Sequence, residues 1–260
     1  MGSFIVAMTG AVEPRLHACV VAGGGGFKIP SGQWKGLSGS KPSCIQGLPY
    51  QSLRFLKDPP AVIYALNAER KAAMSQATDM EGYLRGLEMV VTATRIGAAE
   101  LARSTQLINK TNQFNLTTRR YSEAEVERIA NDPGAVALAI RLADKFGDNG
   151  LISVVLARPD SRIGADELLI DSWLMSCRVL GRQVEDAVLE VLANAAAAAG
   201  YRALIGEYRP TERNGMVAEH YPRLGFAQHP PLADATSDAT FWRYALDCTR
   251  TPRHFIEVSA

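Results

Sequence analysis

Residues 168–226 read LLIDSWLMSCRVLGRQVEDAVLEVLANAAAAAGYRALIGEYRPTERNGMVAEHYPRLGF, and this stretch decides the fold. It parses as a strand ending near Ser176, a glycine-containing turn at Arg178, Val179, Leu180, Gly181, Arg182 and Gln183, then a helix from Val184 to Ala199 stopped by Gly200. Tyr201–Glu207 forms a further strand, and Gly215–Leu224 a short helix ending at Gly225. A strand that passes through such a turn into a helix presents unpaired N–H groups beside a positive helix end, which attracts phosphate. Arg178 and Arg182 flank Gly181 and offer charge-assisted hydrogen bonds to a pyrophosphate. The same pattern also serves as a plain helix start.

Working outward, Val90–Arg95 is β-branched and short, a first strand. Ala98–Asn109 is a helix carrying Leu101, Thr105 and Ile108 along one face. Ser122 with Glu125 three residues on is a capping box that starts a helix to Ala130. Ala135–Asp144 and Leu151–Arg158 pair as a hairpin turning at Asp148, Asn149 and Gly150, and Glu167–Ser176 completes the meander. Thr240–Leu246 adds one more strand. Ahead of this domain, residues 1–55 are an extension of short strands or irregular chain, broken by Gly, Ser and Pro. Residues 56–88 are a helical connector, with helices over Pro60–Gln76 and Asp79–Leu87, the second opened by a Thr78 to Glu81 capping signal.

Within 260 residues the chain is 47 % hydrophobic and 21 % charged, an ordinary soluble composition able to bury a core, and residues 1–26 lack the basic head and long apolar middle of a signal peptide, so a cytoplasmic location is expected. No apolar run approaches the ~20 residues of a membrane helix. Cys19, Cys44, Cys177 and Cys248 have no paired spacing, which argues against a zinc site or a disulfide framework. A net charge of +1 gives no global drive toward nucleic acid. A local basic face remains open to Arg119, Arg120, Arg178, Arg182, Arg209 and Arg213.

Arg178 to Gln183, followed by Asn214, Ala218, Tyr221, Gly225 and Phe226, resembles the donor motifs of the GNAT acyltransferases over residues 89–246. The family order is strand, two helices, a three-strand meander, pyrophosphate turn, helix, strand and helix. The resemblance implies an α/β (α+β) fold for residues 89–260, a GNAT-like mixed, mostly antiparallel central sheet flanked by helices. Gln183 stands where the family has glycine or alanine. Residues 106–126, 145–154, 174–186 and 206–226 further resemble the C-terminal region of FkbH-like proteins of secondary-metabolite pathways, and residues 68–92 resemble their connector. The upstream HAD-type phosphatase domain of that family is marked by an aspartate motif that this sequence lacks, so its magnesium chemistry is not implied.

What the resemblance implies is acyl transfer to a small-molecule amine, hydroxyl or thiol. No cofactor is tightly bound; coenzyme A or a phosphopantetheine arm on an acyl carrier protein carries the acyl group. Tyr221 matches the family tyrosine that protonates the leaving thiolate, or is a core aromatic. Asn214 caps a helix or contacts the donor. Glu207, Asp171 and His220 are candidate bases, and Cys177 before the turn is a nucleophile or an inert thiol. The polar block holding Asn112, Gln113, Asn115, Arg119 and Arg120 lines an acceptor site or is solvated loop, and Trp173 is grouped with it. Two alternatives stand beside acyl transfer: an aminoacyl-tRNA donor held on the basic face, and a non-catalytic carrier-protein docking module.

Overall fold

A computed structural model of the chain describes residues 69–70, 73–75, 79–246 and 253–259. The N-terminal extension and most of the first connector helix lie outside the described residues, although 69–70 and 73–75 are helical. Internal contacts divide the chain into Met1–Ala77 and Thr78–Ala260.

In the second unit the elements run α1 (Met80–Arg85), β1 (Met89–Arg95), α2 (Ala98–Lys110), α3 (Glu123–Asn131), β2 (Val136–Asp144), β3 (Gly147–Arg158) and β4 (Glu167–Met175). There follow α4 (Val184–Ala198), β5 (Ala203–Tyr208), α5 (His220–Arg223), β6 (Ala227–His229), β7 (Thr240–Ala245) and β8 (Ile256–Ser259). The strands form one eight-stranded sheet in the order β6-β7-β5-β4-β3-β2-β1-β8. Only β4 with β5 and β1 with β8 run parallel, so the sheet is mixed and mostly antiparallel.

Each face of the sheet has its own apolar layer, as alternating side chains require. On one face Ile140, Ile152, Leu168 and Trp173 pack with Val188, Leu192 and Tyr221, and with Leu84 and Leu87 near α1. On the other, Ala137, Val154 and Leu174 pack with Ile108 of α2 and with Val126 and Ile129 of α3.

Several local features follow sequence chemistry. Ser122 and Glu125 make both halves of the capping box of α3. Helix α1 begins at Met80 with Asp79 as its cap, accepting from Gly82 N at 2.6 Å, and Glu81 pairs with Arg85 at 2.8 Å; Thr78 of the expected capping signal lies outside the described residues. The hairpin also turns earlier than expected. Asp144 pairs with Gly147, leaving Lys145 and Phe146 as the loop, because Asp144 Oδ1 accepts from both Phe146 N and Gly147 N at 3.0 Å. Asp148-Asn149-Gly150 instead lies in the irregular part of β3, with Gly150 at φ +69. The expected helix Gly215–Leu224 is divided into a 3-10 turn, Gly215–Val217, and α5. A continuous helix would need an N–H at position 222, which Pro222 lacks. Among the described residues no helix is long and apolar enough to cross a membrane.

Candidate active site

Strands β4 and β5 pair only from Glu167 and Ala203 to Ile170 and Gly206. Beyond that point both continue, but apart. On the β3 side Asp171 is passed over, since Leu156 faces Ser172 and Ala157 faces Ile170. This bulge turns β4 away from its neighbour. Residues 114–117, from the α2–α3 loop, lie in the gap, with one isolated antiparallel bridge between Asn115 and Leu174. Met175 N donates to Phe114 O at 3.0 Å, Leu116 N to Trp173 O at 3.1 Å, and Arg209 N to Leu116 O at 2.9 Å.

Asparagines hold this strap. Asn115 Oδ1 accepts from Thr118 N at 2.8 Å. Asn214 Nδ2 donates to Asn115 O and to Arg209 O, both at 2.9 Å, and its Oδ1 accepts from Thr211 N at 2.7 Å. Its side chain therefore ties two loops together and makes no cap bond to the turn it precedes.

Below the strap a charged layer bridges the parted strands. Arg119 Nη1 lies 2.8 Å from Asp171 Oδ1, and Nη2 lies 2.8 Å from Glu207 Oε2. Arg158 reaches Asp171 at 3.0 Å, Tyr121 donates to Asp171 Oδ2, and Arg209 pairs with Glu207. Asp171 and Glu207 are both buried. Burial, reinforced by the Asp171 charge, pushes the Tyr121 phenol well up, so it stays a donor. Guanidinium groups thus pair with both candidate bases.

Above the strap lies a cavity of about 670 Å3 whose walls include Lys110, Asn112, Gln113, Phe114, Cys177 and Arg213. Cys177 is exposed there. Arg120 does not join it: the guanidinium bonds Thr111 O at 3.0 Å, Ile108 O and Asn112 Oδ1, closing the carbonyl end of α2.

The turn after β4 is open. Gly181 has φ +75, and a methyl in place of its Hα would have no neighbour within 4 Å. Gln183, the N-cap of α4, has φ +62 and makes no side-chain cap bond. Arg182 reaches Asp144 Oδ2 at 3.2 Å and Arg178 O at 3.1 Å, so it ties the turn to the β2–β3 hairpin. Arg178 is exposed, donating to Ser176 Oγ at 3.0 Å and Asn149 O at 3.2 Å. Glu185 and Asp186 occupy the first turn of α4, and burial raises both carboxyls.

Where β4 and β5 part, the Tyr221 ring packs against Gly206 of β5. A methyl at Gly206 would meet Tyr221 Cε1 and Cζ at 2.4 Å, so only glycine fits. The tyrosine ring stands 6.4 Å from Trp173 and 5.5 Å from His220, centre to centre. Tyr221 Oη, Trp173 Nε1 and His220 Nε2 are buried without a hydrogen-bond partner. Burial holds the Tyr221 phenol far above its ordinary range and lowers His220 to about 3.

The sequence candidates fall into separate groups. Asn112, Gln113 and Cys177 share the cavity; Asp171, Glu207 and Arg119 share the charged layer; Trp173 and Tyr221 share the aromatic cluster; Asn115 and Asn214 hold the strap. Phe114 and Tyr121 fall within residues 106–126 without being singled out as candidates, and Arg158 carries no sequence signal of its own. Phe114 carries a faint signal as a lone aromatic inside a polar block.

No family model matches the sequence, and no curated protein matches it. Solved structures do align. The ribosomal-protein-S18-alanine N-acetyltransferase from Escherichia coli is 13 % identical over 62 % of this chain and 97 % of its own, with a TM-score of 0.45. The GNAT domain of S. lividans PAT is 20 % identical over 59 % of this chain and 89 % of its own, with a TM-score of 0.45. yncA from Salmonella typhimurium, solved with its cofactor acetyl-CoA, is 16 % identical over 62 % of this chain and 97 % of its own, also at 0.45. The chain's own element order, β1-α2-α3-β2-β3-β4, turn, α4-β5-α5, is the GNAT-like order expected from the sequence.

Proposed function

We propose that the chain transfers an acyl group from a phosphate-bearing thioester, on coenzyme A or on the phosphopantetheine arm of an acyl carrier protein, to a small-molecule amine, hydroxyl or thiol. The observation that carries this reading is the Tyr221 hydroxyl, buried, protonated and unpartnered at the point where β4 and β5 separate. A buried hydroxyl without a partner is costly in a native fold unless it has work to do. The open turn at Gly181, with Arg178 beside it, and Lys110 and Arg213 on the cavity wall suit a phosphate-bearing tail.

In the reaction, the acceptor lone pair attacks the thioester carbonyl carbon and the carbon–sulfur bond breaks. The departing sulfur takes the Tyr221 proton, and the proton lost by the acceptor returns to the tyrosinate through water. The products are the acylated acceptor and a free thiol. The resemblance of residues 106–126, 145–154, 174–186 and 206–226 to FkbH-like proteins supports a place in secondary-metabolite biosynthesis. The aminoacyl-tRNA reading calls for six arginines on one face. Arg119 and Arg209 serve Glu207, Arg120 closes α2, and Arg182 serves Asp144, so that reading has no comparable support.

Thiol release from a panel of acyl thioesters and acceptors tests the proposal. Tyr221→Phe should lower kcat by about 100-fold with little change in the unfolding midpoint. Undiminished turnover in that variant would sink the assignment.

A further inference from the structure

Asp148-Asn149-Gly150 makes no hairpin turn, and its place in β3 gives it another use. The ladder to β2 holds at Asp148 and again at Leu151, passing over Asn149 and Gly150. Gly150 at φ +69, with its N–H on Asp148 Oδ1 at 2.6 Å, shapes this bulge. Bulges commonly re-aim a group beside a functional site. Here the Asn149 carbonyl accepts from Arg178 Nη2 at 3.2 Å. Asn149 Nδ2 donates to Asp144 Oδ2 at 3.2 Å, the same oxygen accepts from Arg182 Nη1 at 3.2 Å, and Arg182 Nη2 donates to Arg178 O at 3.1 Å. Hydrogen bonds through Asp144, Asn149, Arg178 and Arg182 thus close a ring from the hairpin to the turn and back. Asp144 and Arg182 are buried in it.

We propose that Asp144 and Asn149 are positioning residues for the donor's phosphate, acting through Arg178 and the turn rather than by contact. The inference rests on the acyl-transfer reading and adds a distant hairpin to its donor site. Arg182 stands between two left-handed residues, Gly181 at φ +75 and Gln183 at φ +62. Such backbone persists only where its surroundings over-determine it. The turn's own main-chain bonds are long, Val179 N to Ser176 O at 3.3 Å and Leu180 N to Cys177 O at 3.5 Å, so the ring supplies the constraint. The hairpin is itself fastened, Lys145 N donating to Leu87 O at 2.9 Å. Ser176 Oγ and Asn149 O hold Arg178 Nε and Nη2, and among the described residues Nη1 has no protein partner. A guanidinium held in this way meets a phosphate with less rotamer freedom left to lose. The Asp144 carboxylate suits the ring in both its oxygens. Oδ1 accepts from Phe146 N and Gly147 N, while Oδ2 faces two donors, from Arg182 and Asn149. An asparagine there keeps an oxygen for the hairpin but turns an NH2 against those donors and opens the ring.

Calorimetric titration with 4′-phosphopantetheine and with pantetheine, which differ only in the phosphate, makes the test. The unaltered chain should bind the phosphorylated compound at least about tenfold more tightly, the worth of one charge-assisted hydrogen bond. Asp144→Asn and Arg178→Ala should each bring that ratio close to one. The double variant should lose nothing further, because Asp144 acts through Arg178. With an acyl-phosphopantetheine donor, the Asp144→Asn loss should fall on KM, about tenfold, with kcat within about twofold. An undiminished binding ratio in folded Asp144→Asn would overturn the proposal. Should that variant fail to fold, Asn149→Ala, which removes one bond of the ring, decides in the same titration. Transfer without any phosphate preference in the unaltered chain would overturn the positioning role and leave acyl transfer standing. A preference that the variants abolish, with no transfer from any donor, would keep the positioning role and overturn the transferase reading. Neither preference nor transfer would overturn both.

Discussion

Arg119 Nη2 lies 2.8 Å from the buried carboxylate of Glu207, and the same guanidinium holds Asp171 at 2.8 Å through Nη1. Asp171 and Glu207 are the first residues past the last β4–β5 pair, Ile170 with Gly206. One planar fork thus replaces the main-chain ladder where it stops.

Replacing Arg119 leaves two buried carboxylates with one guanidinium fewer each. Arg119→Met is expected to cost about 3 kcal/mol in urea unfolding at neutral pH. Arg119→Lys should recover only part of it, since an ammonium cannot span both acids in the same plane. A loss below about 1 kcal/mol for the methionine variant would show that the strands do not depend on the bridge.

The contact between Gly206 and Tyr221 should be visible as non-additivity. Gly206→Ala forces a methyl into ring carbons at 2.4 Å and is expected to destabilise by about 1–3 kcal/mol. In Tyr221→Ala the space is empty, and the same change should cost far less. Equal penalties in both backgrounds, read by denaturant titration, would contradict the geometry.

Gln183 occupies a left-handed position with φ +62, where a side chain is strained. Gln183→Gly should raise stability by about 0.5–1 kcal/mol, the relieved strain exceeding the added chain entropy of the unfolded state. A fall in the melting temperature would mean that the Gln183 side chain supports the turn.

His220 gives a pH dependence of defined sign. Its folded value of about 3 lies below the unfolded value of 6.5, so the unfolded chain binds the proton first. Stability from keeping His220 neutral is fully present above pH 6.5 and is lost as pH falls toward 3. Between pH 7 and pH 5 the loss should be about 2 kcal/mol more than in His220→Phe. Parallel stability profiles for the two proteins would show that the imidazole is not held neutral.

Cys177 is exposed on the cavity wall. Iodoacetamide should alkylate it, a saturating donor should slow that reaction, and peptide mass mapping can follow the site. Alkylation at the same rate with and without donor would place the donor elsewhere.

Much of the architecture is written locally. The capping box at Ser122 and Glu125, the strands of the meander, and the stop of the long helix before Gly200 depend on residues a few positions apart. Strands β6 and β8, three and four residues long, have no such signature; they exist because β7 and β1 offer them an edge. The hairpin loop falls at Lys145 and Phe146 because the Asp144 carboxylate organises the turn, although Asp-Asn-Gly carries the stronger local propensity.

The sequence by itself determined the order of elements and the composition of the glycine turn, since hydrophobic period, caps and breakers are short-range properties. Only the tertiary structure decided what that turn and its neighbours can do. It committed Arg182 to Asp144 and Arg119 to Asp171 and Glu207, drew residues 114–117 between two strands, and gathered Trp173, His220 and Tyr221 from distant positions. Ion pairs, strand separation and unpaired buried atoms are set by which side chains the fold brings within a few ångströms, and chain spacing carries no measure of that distance.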